Sequence, residues 1–465
     1  MKSPLLIVLT LIVVVSCHQN DNDTLLSGQL IDAYTNEPIA NARVFVLENG
    51  PETTTGANGS FQFSNDEVKL LEDVSDGSGD YAIAVSHSDY RPRELNVRRG
   101  KKTQVEMAPL AIPTYFYYPP VQLNDGIATG TLKDANMDRQ LVQNLMEKVQ
   151  GDGYKEIHSV LVYHNEMLVL EEYLFGNNDT IQFENDIAVD RSPAPIQWSR
   201  KDKHYVASVN KTFTSTLVGM ALNQYGHSVQ DKISAFLPQY AAYFEDPNKA
   251  ALDFEDCLTM TAGFQWDEWG DTDLARLWKS DDFGDFVLSR SNAGAGSEWR
   301  YNSALPNLML KAVDEMVDGG VREWADANFY QKLGIRDYKW QSQPDGYPEG
   351  SARMFIRPRD MLKIGITYLN NGRWNDQQVI PASWVSECFQ VKEQTTSGDY
   401  SYHFWIRNLA DTEYLSADGD GGNYINVFPS LDMVVVITQG LYLKWPLYVT
   451  QSDDMMKNFI IPAVN

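Results

Sequence analysis

A serine and a lysine three positions apart are the first residues in this chain that could do chemistry. Ser208 and Lys211 form a Ser-x-x-Lys pattern that occurs once in the sequence. Apolar Val209, Phe213 and Leu217 recur at helical spacing, so Ser208 and Lys211 share the opposite face of a first helical turn. A lysine kept neutral by burial can take the serine proton. The spacing predicts an activated serine whose helix N-terminus helps to hold an acyl oxyanion.

A helix cap and a Ser-His-Asp triad compete with this assignment. A serine at a solvated helix start could simply cap the helix. A Ser-His-Asp triad would use one of the seven histidines, but the chain has no Gly-x-Ser-x-Gly elbow. We expect histidines such as His158 and His204 to serve structure.

Composition restricts the remaining function classes. The 465 residues are 43% hydrophobic and 12% aromatic, which predicts a folded protein of two domains. The formal charge of −25 argues against nucleic acid as a partner, because phosphate backbones require clustered basic residues. The three cysteines, at positions 17, 257 and 388, predict neither a disulfide framework nor a metal site.

The first 24 residues read as a targeting segment. The apolar run Leu5–Val15 is too short to span a bilayer, and Ser16 precedes Cys17 as in bacterial lipoprotein signals. We therefore predict a signal peptide at 1–16 and a lipidated tether at 17–24, which would anchor the chain to a membrane through Cys17. His18 favours the outer membrane, on its periplasmic side or at the cell surface. An ordinary secretory signal is the alternative.

Residues 25–107 read as β structure. Alternating apolar residues indicate strands near Arg43–Val46, Phe61–Phe63, Tyr81–Val85, Leu95–Val97 and Val105–Met107, with turn signals at Asn49–Pro51, Asn58–Gly59 and Asp76–Gly79. The runs Ser27–Asp32, Glu37–Val44 and Gly56–Phe61 resemble the carboxypeptidase regulatory-like domain, a transthyretin-like β-sandwich. The segment lacks a catalytic set of residue types, which favours a spacer or binding module. A connector rich in proline and aromatic residues follows at 108–124.

From Asp125 the pattern becomes mixed α/β. A helix is predicted near Met137–Lys148, and the runs Ile157–Tyr163 and Met167–Tyr173, separated by a short turn, predict an antiparallel hairpin. The late run Tyr424–Ile437 reads as two further strands. Strands at both ends and helices between them predict an α/β domain in which an antiparallel sheet, assembled from distant segments, is flanked by helices.

Several stretches in residues 125–465 carry a family resemblance. They are Ser208–Lys211, Leu258–Gly263, Lys332–Ile335, Pro358–Met361, Asn371–Trp374 and Ile380–Val385. They resemble the serine β-lactamase and penicillin-binding superfamily, nearest its class C-like branch of 6-aminohexanoate-dimer hydrolases and esterases. The resemblance implies a β-lactamase-like fold with a helical subdomain, and a serine hydrolase that forms an acyl-enzyme.

The second motif of that superfamily, Tyr-x-Asn, falls on Tyr301-Asn302-Ser303. The resemblance makes Tyr301 the catalytic tyrosine. A phenol held near a lysine can shuttle a proton between serine, lysine and leaving group. Ser303 replaces the usual asparagine and is assigned to substrate binding, although this replacement puts the amide-to-substrate hydrogen bond in doubt.

The third motif, Lys-Thr-Gly in β-lactamases, falls on Asp420-Gly421-Gly422-Asn423. The glycines would let a substrate approach the strand, and the backbone N–H of Asn423 would join that of Ser208 in an oxyanion hole. Asp420 stands where the family has lysine, so the site should disfavour a substrate carboxylate, unless Asp420 points to solvent and only shapes the turn.

Together these residues predict a serine hydrolase acting on a small-molecule or oligomeric amide or ester, without metal or organic cofactor. Trp266, Trp269 and Trp299 could line its cleft or pack in its core. A cell-wall D-Ala peptidase or weak β-lactamase of the same superfamily is the enzymatic alternative. An inactive surface-binding lipoprotein is the alternative from another class.

Overall fold

The computed structural model describes residues 24–47, 49–64, 67, 80–182, 188–269 and 273–464. The chain forms two compact units, residues 1–112 and 113–465. The predicted signal peptide, Cys17 and the turn at Asp76–Gly79 lie outside the described residues.

The described strands of the first unit form two sheets. Its strands are β1 (Thr24–Asp32), β2 (Arg43–Val46), β3 (Glu52–Thr54), β4 (Ser60–Ser64), β5 (Asp80–His87), β6 (Tyr90–Arg98) and β7 (Lys102–Met107). One sheet has the order β4-β1-β7 and the other β3-β2-β5-β6. Leu30 and Phe63 of the first sheet share one buried cluster with Val44 and Ile83 of the second. The predicted all-β region is confirmed.

The second unit begins its regular structure with a helix and then alternates short strands and helices. Its strands are β8 (Ile157–His164), β9 (Met167–Tyr173), β10 (Phe175–Gly176), β11 (Thr180–Gln182), β12 (Ala188–Asp190), β13 (Ile196–Gln197), β14 (His204–Tyr205), β15 (Lys339–Trp340), β16 (Met354–Ile356), β17 (Arg373–Trp374), β18 (Gln377–Gln378), β19 (Glu393–Thr395), β20 (Gly398–Tyr400), β21 (Trp405–Leu409), β22 (Thr412–Gly419), β23 (Asn423–Phe428) and β24 (Met433–Gln439).

The α-helices of this unit are distributed along its length. They are α1 (Arg139–Gln150), α2 (Val209–Tyr225), α3 (Pro247–Ala250), α4 (Phe254–Leu258), α5 (Asp273–Leu277), α6 (Phe283–Leu288), α7 (Ala304–Met316), α8 (Val321–Ala325), α9 (Pro358–Leu369), α10 (Ala382–Cys388), α11 (Leu447–Met455) and α12 (Ile461–Ala463). Shorter 3₁₀ and π segments lie at Ile233–Phe236, Pro238–Glu245, Asp326–Tyr330, Gln331–Leu333, Pro429–Leu431 and Met456–Ile460.

An eight-stranded antiparallel sheet forms the framework of the second unit. Its order is β19-β20-β21-β22-β23-β24-β8-β9. The last of these strands along the chain, β24, therefore pairs with the first, β8, which pairs in turn with β9. Val434 and Val436 of β24 join the core on one face, while Val435 and Ile437 join the core on the other. Because both faces are covered, β24 is apolar at nearly every position. The predicted sheet of distant segments flanked by helices is confirmed.

Helix α2 is more deeply buried than its sequence pattern predicts. Every residue from Val209 to Leu222 is buried, including Asn210 and Lys211. This burial arises because α2 packs against both α7 and the sheet. A lysine with 1% exposure on such a helix needs polar partners for its amine.

Two observations complete the description of this unit. The segment before α1 packs against the sheet, where Tyr117 donates to the carbonyl oxygen of Val169 at 2.8 Å and Tyr115 is bonded to Glu172. Among the described residues, a helix with the length and hydropathy needed to cross a membrane is not found.

Candidate active site

The start of α2 is fixed by the short sheet β14-β16-β15. His204 and Tyr205 pair with Ile356 and Phe355, and the next residue, Val206, donates its N–H to the carbonyl oxygen of Met354 at 3.0 Å. Ala207 then adopts a φ of 47°, which is rare for a residue with a side chain. This sharp turn directs the chain into α2 immediately after Ser208.

The side chains of Ser208 and Lys211 meet as the spacing predicts. Lys211 Nζ lies 2.8 Å from Ser208 Oγ. Ser208 occupies the N-cap position of α2, but its side chain accepts no capping hydrogen bond from the backbone. The hydroxyl is half-buried and directed to a buried amine, which favours the chemical interpretation over the helix-cap interpretation.

The loop between β15 and β16 supplies the second contact of Lys211. Lys211 Nζ donates to the carbonyl oxygen of Ser351 at 3.2 Å. The fully buried carboxylate of Glu349 shapes this loop by accepting the backbone N–H groups of Ser351, Ala352 and Arg353 at 2.6–3.0 Å. The loop therefore holds a carbonyl oxygen against the lysine through a rigid network.

Tyr301 also lies close to the lysine. Its ring centroid is 4.9 Å from Lys211 Nζ. Two tryptophan rings lie nearly parallel to it, Trp269 at 6.1 Å and 10°, and Trp405 at 6.4 Å and 16°. Ser208, Lys211 and Tyr301, predicted from separate motifs, thus form one cluster.

The three tryptophans proposed for the cleft have different positions. Trp269 is 73% exposed and covers Tyr301, so it is placed to contact a substrate. Trp299 is half-buried, 6.3 Å from Tyr301. Trp266 is 1% exposed, so it belongs to the core and is not part of an open cleft wall.

Ser303 is tied to a carboxylate that the sequence motifs did not identify. Its backbone N–H donates to Glu268 Oε2 at 3.0 Å, and its hydroxyl is bonded to Glu268 Oε1. Trp266 Nε1 donates to Glu268 Oε2 at 2.7 Å. Burial raises the pKa of Glu268, while the positive charge of Lys211 and these hydrogen bonds act in the opposite direction.

The third motif forms the turn from β22 into β23. Gly421 and Gly422 have φ values of 85° and 93°, which favour glycine. A Cβ at Gly421 would approach the Tyr442 ring to 2.5 Å, and one at Gly422 would approach Gln439 equally closely. Packing against these side chains, as well as the backbone conformation, therefore requires both glycines.

This turn is adjacent to the chain that leads into Ser208. A Cβ on Gly419 would lie 2.1 Å from the carbonyl oxygen of Val206, so the two backbones approach closely. Asn423 opens β23, and its side chain donates to the carbonyl oxygen of Asp420 at 3.0 Å. The backbone N–H groups of Ser208 and Asn423 remain the predicted oxyanion hole.

Asp420 is oriented toward the following loop. Its carboxylate accepts the backbone N–H of Leu443 at 2.9 Å and is also hydrogen bonded to Tyr448. Burial raises its pKa, and these hydrogen bonds oppose that effect. The sequence predicted either a charge that faces an open cleft or a turn residue that faces solvent. The Asp420 carboxylate is instead half-buried and bonded to the following loop.

The histidines predicted to be structural are buried and bonded to one another. His158 Nδ1 lies 2.8 Å from His204 Nε2, and His204 Nδ1 lies 3.3 Å from the Tyr442 hydroxyl. In the part of the chain that the structure describes, these contacts form no Ser-His-Asp arrangement with Ser208. Among the described residues, no group of three or more histidine, cysteine, aspartate or glutamate side chains is placed to hold a metal ion.

Three functional features escaped the sequence patterns: the carboxylates of Glu268 and Glu349, and the Ser351 carbonyl. Glu268 stands in the acidic, tryptophan-rich run from Trp266 to Trp269, which could have drawn attention to it. Glu349 stands in a loop without such a signal. The cluster can activate Ser208 through Lys211 and relay a proton through Tyr301.

The family described as Beta-lactamase matches residues 139–443, about two thirds of the chain. This range includes all three predicted motifs. None of the curated proteins matches the sequence significantly.

Solved structures share the fold at low sequence identity. A Bacillus anthracis protein assigned as a 6-aminohexanoate-dimer hydrolase has a TM-score of 0.55 at 16% identity, over 75% of this chain and 88% of its own. The hydrolase EstCE1, described as having promiscuous acyltransferase activity, has a TM-score of 0.54 at 15% identity, over 68% of this chain and 98% of its own. A class C β-lactamase from Rhodobacter sphaeroides has a TM-score of 0.51 at 14% identity, over 69% of this chain and 99% of its own.

Proposed function

Because the chain belongs to the β-lactamase family, we propose that it hydrolyses an amide or ester bond through an acyl-enzyme on Ser208. Lys211 takes the Ser208 proton as Oγ bonds to the carbonyl carbon. The proton then passes through Tyr301 to the leaving amine or alcohol as its bond to that carbon breaks. Water attacks the resulting ester, loses a proton to the same groups, and releases the carboxylic acid and the free serine.

The single observation that carries this proposal is the 2.8 Å contact between Lys211 Nζ and Ser208 Oγ. A serine that served only as a helix cap would bond to a backbone N–H, and this one does not. The side chain of Lys211 is 1% exposed, so the fold holds its amine in place beside the hydroxyl.

The substrate class is proposed from the rim of the site. Trp269 offers an exposed aromatic face beside Tyr301, which suits a substrate with an apolar or aromatic group next to its scissile bond. Among the structural neighbours are proteins described as an aminohexanoate-dimer hydrolase and as an acyl-transferring hydrolase. Small amides and esters are therefore the first candidates, ahead of cell-wall peptides and β-lactams.

The test is a panel of p-nitrophenyl esters, short amides and a chromogenic cephalosporin, assayed with the wild type and Ser208→Ala. We expect turnover of esters or amides by the wild type and its complete loss in the variant, whose fold is checked by thermal melting. A wild type that turns over only the cephalosporin would replace the proposal with a β-lactamase. Equal turnover by the variant would refute it.

We make two further proposals, one about the first unit and one about Cys17. The first unit, an all-β sandwich, is proposed to be a carboxypeptidase regulatory-like domain with a spacer or binding role. Cys17 is proposed to carry lipid and hold the protein at the cell envelope. Metabolic labelling with an alkyne fatty acid, compared between the wild type and Cys17→Ala, tests the second assignment.

A further inference from the structure

Residues 349–351, in the loop between β15 and β16, run beside the first two turns of α2. Three consecutive carbonyl oxygens of this loop accept hydrogen bonds from side chains of that helix: Glu349 from Asn210 at 2.7 Å, Gly350 from Thr214 at 2.7 Å, and Ser351 from Lys211 at 3.2 Å. The amine of Lys211 also lies 2.8 Å from the hydroxyl of Ser208. The loop therefore supplies a second fixed contact for an amine that must stay beside the nucleophile.

The side chain of Glu349 folds back on its own loop. It is fully buried, and one of its oxygens accepts the backbone N–H groups of Ser351, Ala352 and Arg353 at 3.0, 2.6 and 2.7 Å. The other oxygen accepts the Ser351 hydroxyl, and Asn307 Nδ2 at 3.1 Å. Burying a carboxylate is costly unless hydrogen bonds compensate it, so the fold has built a site for this side chain.

One peptide group connects Glu349 with Lys211. The carbonyl of Ser351 and the N–H of Ala352 belong to the same planar trans peptide, in which they point in opposite directions. Glu349 accepts from this N–H at 2.6 Å, and Lys211 donates to this carbonyl oxygen at 3.2 Å. The carboxylate therefore sets the direction in which the carbonyl faces the lysine, and consecutive hydrogen bonds of this kind strengthen one another.

Helix α7 also holds the loop in place. Asn307 Oδ1 accepts the N–H of Gly350 at 2.8 Å, while Asn307 Nδ2 donates to the carbonyl oxygen of Ser303 at 2.9 Å. A Cβ at Gly350 would lie 2.7 Å from the carbonyl oxygen of Pro306, so the loop rests directly on the helix backbone. Because α7 begins immediately after Ser303, the same helix locates both this loop and the Tyr301 segment.

From this geometry we propose that Glu349 is a positioning residue for the proton transfer from Ser208. Through the peptide between Ser351 and Ala352, it holds the amine of Lys211 beside the hydroxyl. The inference rests on the proposed hydrolase function and adds to it a residue that acts through Lys211.

The side chain of a lysine needs such support because it is long and flexible. A displacement of a reacting group by about 1 Å can slow a reaction by about 10²-fold. Loosening the loop, without removing the lysine, should therefore cost a substantial part of the rate that Lys211 provides.

The test is a double-mutant cycle on the labelling of Ser208 by a fluorophosphonate. The wild type, Glu349→Gln, Lys211→Ala and the double variant are measured over a range of probe concentrations, which separates the maximal rate from probe binding. In Glu349→Gln the amide oxygen can still accept the backbone N–H groups, but its NH₂ group meets the donors of Ser351 and Asn307. We expect the maximal rate to fall about tenfold at unchanged probe binding, and by less than about twofold when the substitution is made in Lys211→Ala.

The cycle separates positioning from a purely structural role. If Glu349 only stabilised the fold, its substitution would lower the rate by the same factor in both backgrounds, and the proposal would be overturned. A loss that lies in probe binding, with an unchanged maximal rate, also contradicts it.

Asp345→Asn is the matched control, because Asp345 lies in the same loop and is bonded to the buried amine of Lys311. Lys311 keeps a second carboxylate, that of Asp282, at 3.3 Å. This variant should lower the melting temperature and leave the labelling rate at the wild-type value. A tenfold loss of rate here would mean that any loosening of the loop is sufficient, which refutes the specific role of Glu349.

If Glu349→Gln does not fold, Gly350→Ala decides the question. Its added Cβ would clash with the carbonyl oxygen of Pro306, so the loop must shift while every polar side chain is retained. The maximal rate should fall at least about threefold in the wild-type background and should not fall further in Lys211→Ala. A wild-type rate, or equal losses in both backgrounds, overturns the proposal. Failure of the proposed function gives a different result, since the wild type itself would then not be labelled at Ser208.

Discussion

The two sides of the candidate site are built by different means. The lysine side, comprising Lys211, Tyr301 and Glu268, uses ionisable side chains, of which Lys211 and Glu268 are buried and Tyr301 is half-buried with its ring centroid 4.9 Å from the Lys211 amine. The strand side, Asp420 to Asn423, uses a glycine turn whose backbone is fixed by packing, and its one carboxylate is bonded to the loop at Leu443. Proton transfer should therefore depend on side chains of the first side, whereas the second side should tolerate changes of charge.

The largest expected effects fall on the lysine side. Lys211→Ala and Tyr301→Phe should each lower kcat by at least about 10²-fold, because each removes a group from one proton path. The double variant should lose far less than the product of the two single losses. Pre-steady-state hydrolysis of one good ester by the three variants measures this.

Independent, multiplicative losses would contradict a shared path. Thermal melting of each variant provides the control, since Lys211 is buried and its removal leaves a cavity.

A smaller effect is expected at the exposed edge of the same side. Trp269→Ala should lower kcat/KM for esters with an aromatic acyl group roughly three- to tenfold, because a stacking contact contributes about 0.5–1.5 kcal/mol. The loss should lie mainly in KM, and a matched ester with a short aliphatic acyl group serves as the control. Equal losses for both esters would mean that Trp269 supports Tyr301 and does not contact the substrate.

The smallest effect is expected on the strand side. Asp420→Asn should change the relative kcat/KM of amine-bearing, neutral and carboxylate-bearing substrates by less than about threefold, because the carboxylate is bonded to Leu443 and Tyr448. The amide can still accept the N–H of Leu443, so the loop should keep its structure. A change of about tenfold or more would show that Asp420 reads substrate charge, and would remove the contrast between the two sides.

The predictable parts of this molecule are those encoded by local pattern. Alternation and turn residues predicted the hairpin of β8 and β9 and the antiparallel sheet, and the Ser-x-x-Lys spacing predicted the contact between Ser208 and Lys211. These features depend on residues close together in the chain or on a strong apolar run.

The missed parts depend on tertiary contacts. From Val209 to Leu222, helix α2 is buried because α7 and the sheet pack against it, which no periodicity within α2 could reveal. Glu268 and Glu349 gain their importance from partners 35 and 42 positions away, Ser303 and Asn307. The orientation of Asp420 follows from the loop at Leu443, 23 positions later. The sequence alone gives Glu349 no distinguishing mark, whereas Glu268 stands in an acidic, tryptophan-rich run and Asp420 in the third motif.

The most direct test of the proposed mechanism is to find the nucleophile. Wild-type protein is treated with a fluorophosphonate probe, its intact mass is measured, and the modified peptide is mapped beside that of Ser208→Ala. We predict one adduct per chain, on Ser208, and no adduct in the variant. An adduct on another serine, or equal labelling of the variant, would contradict the mechanism.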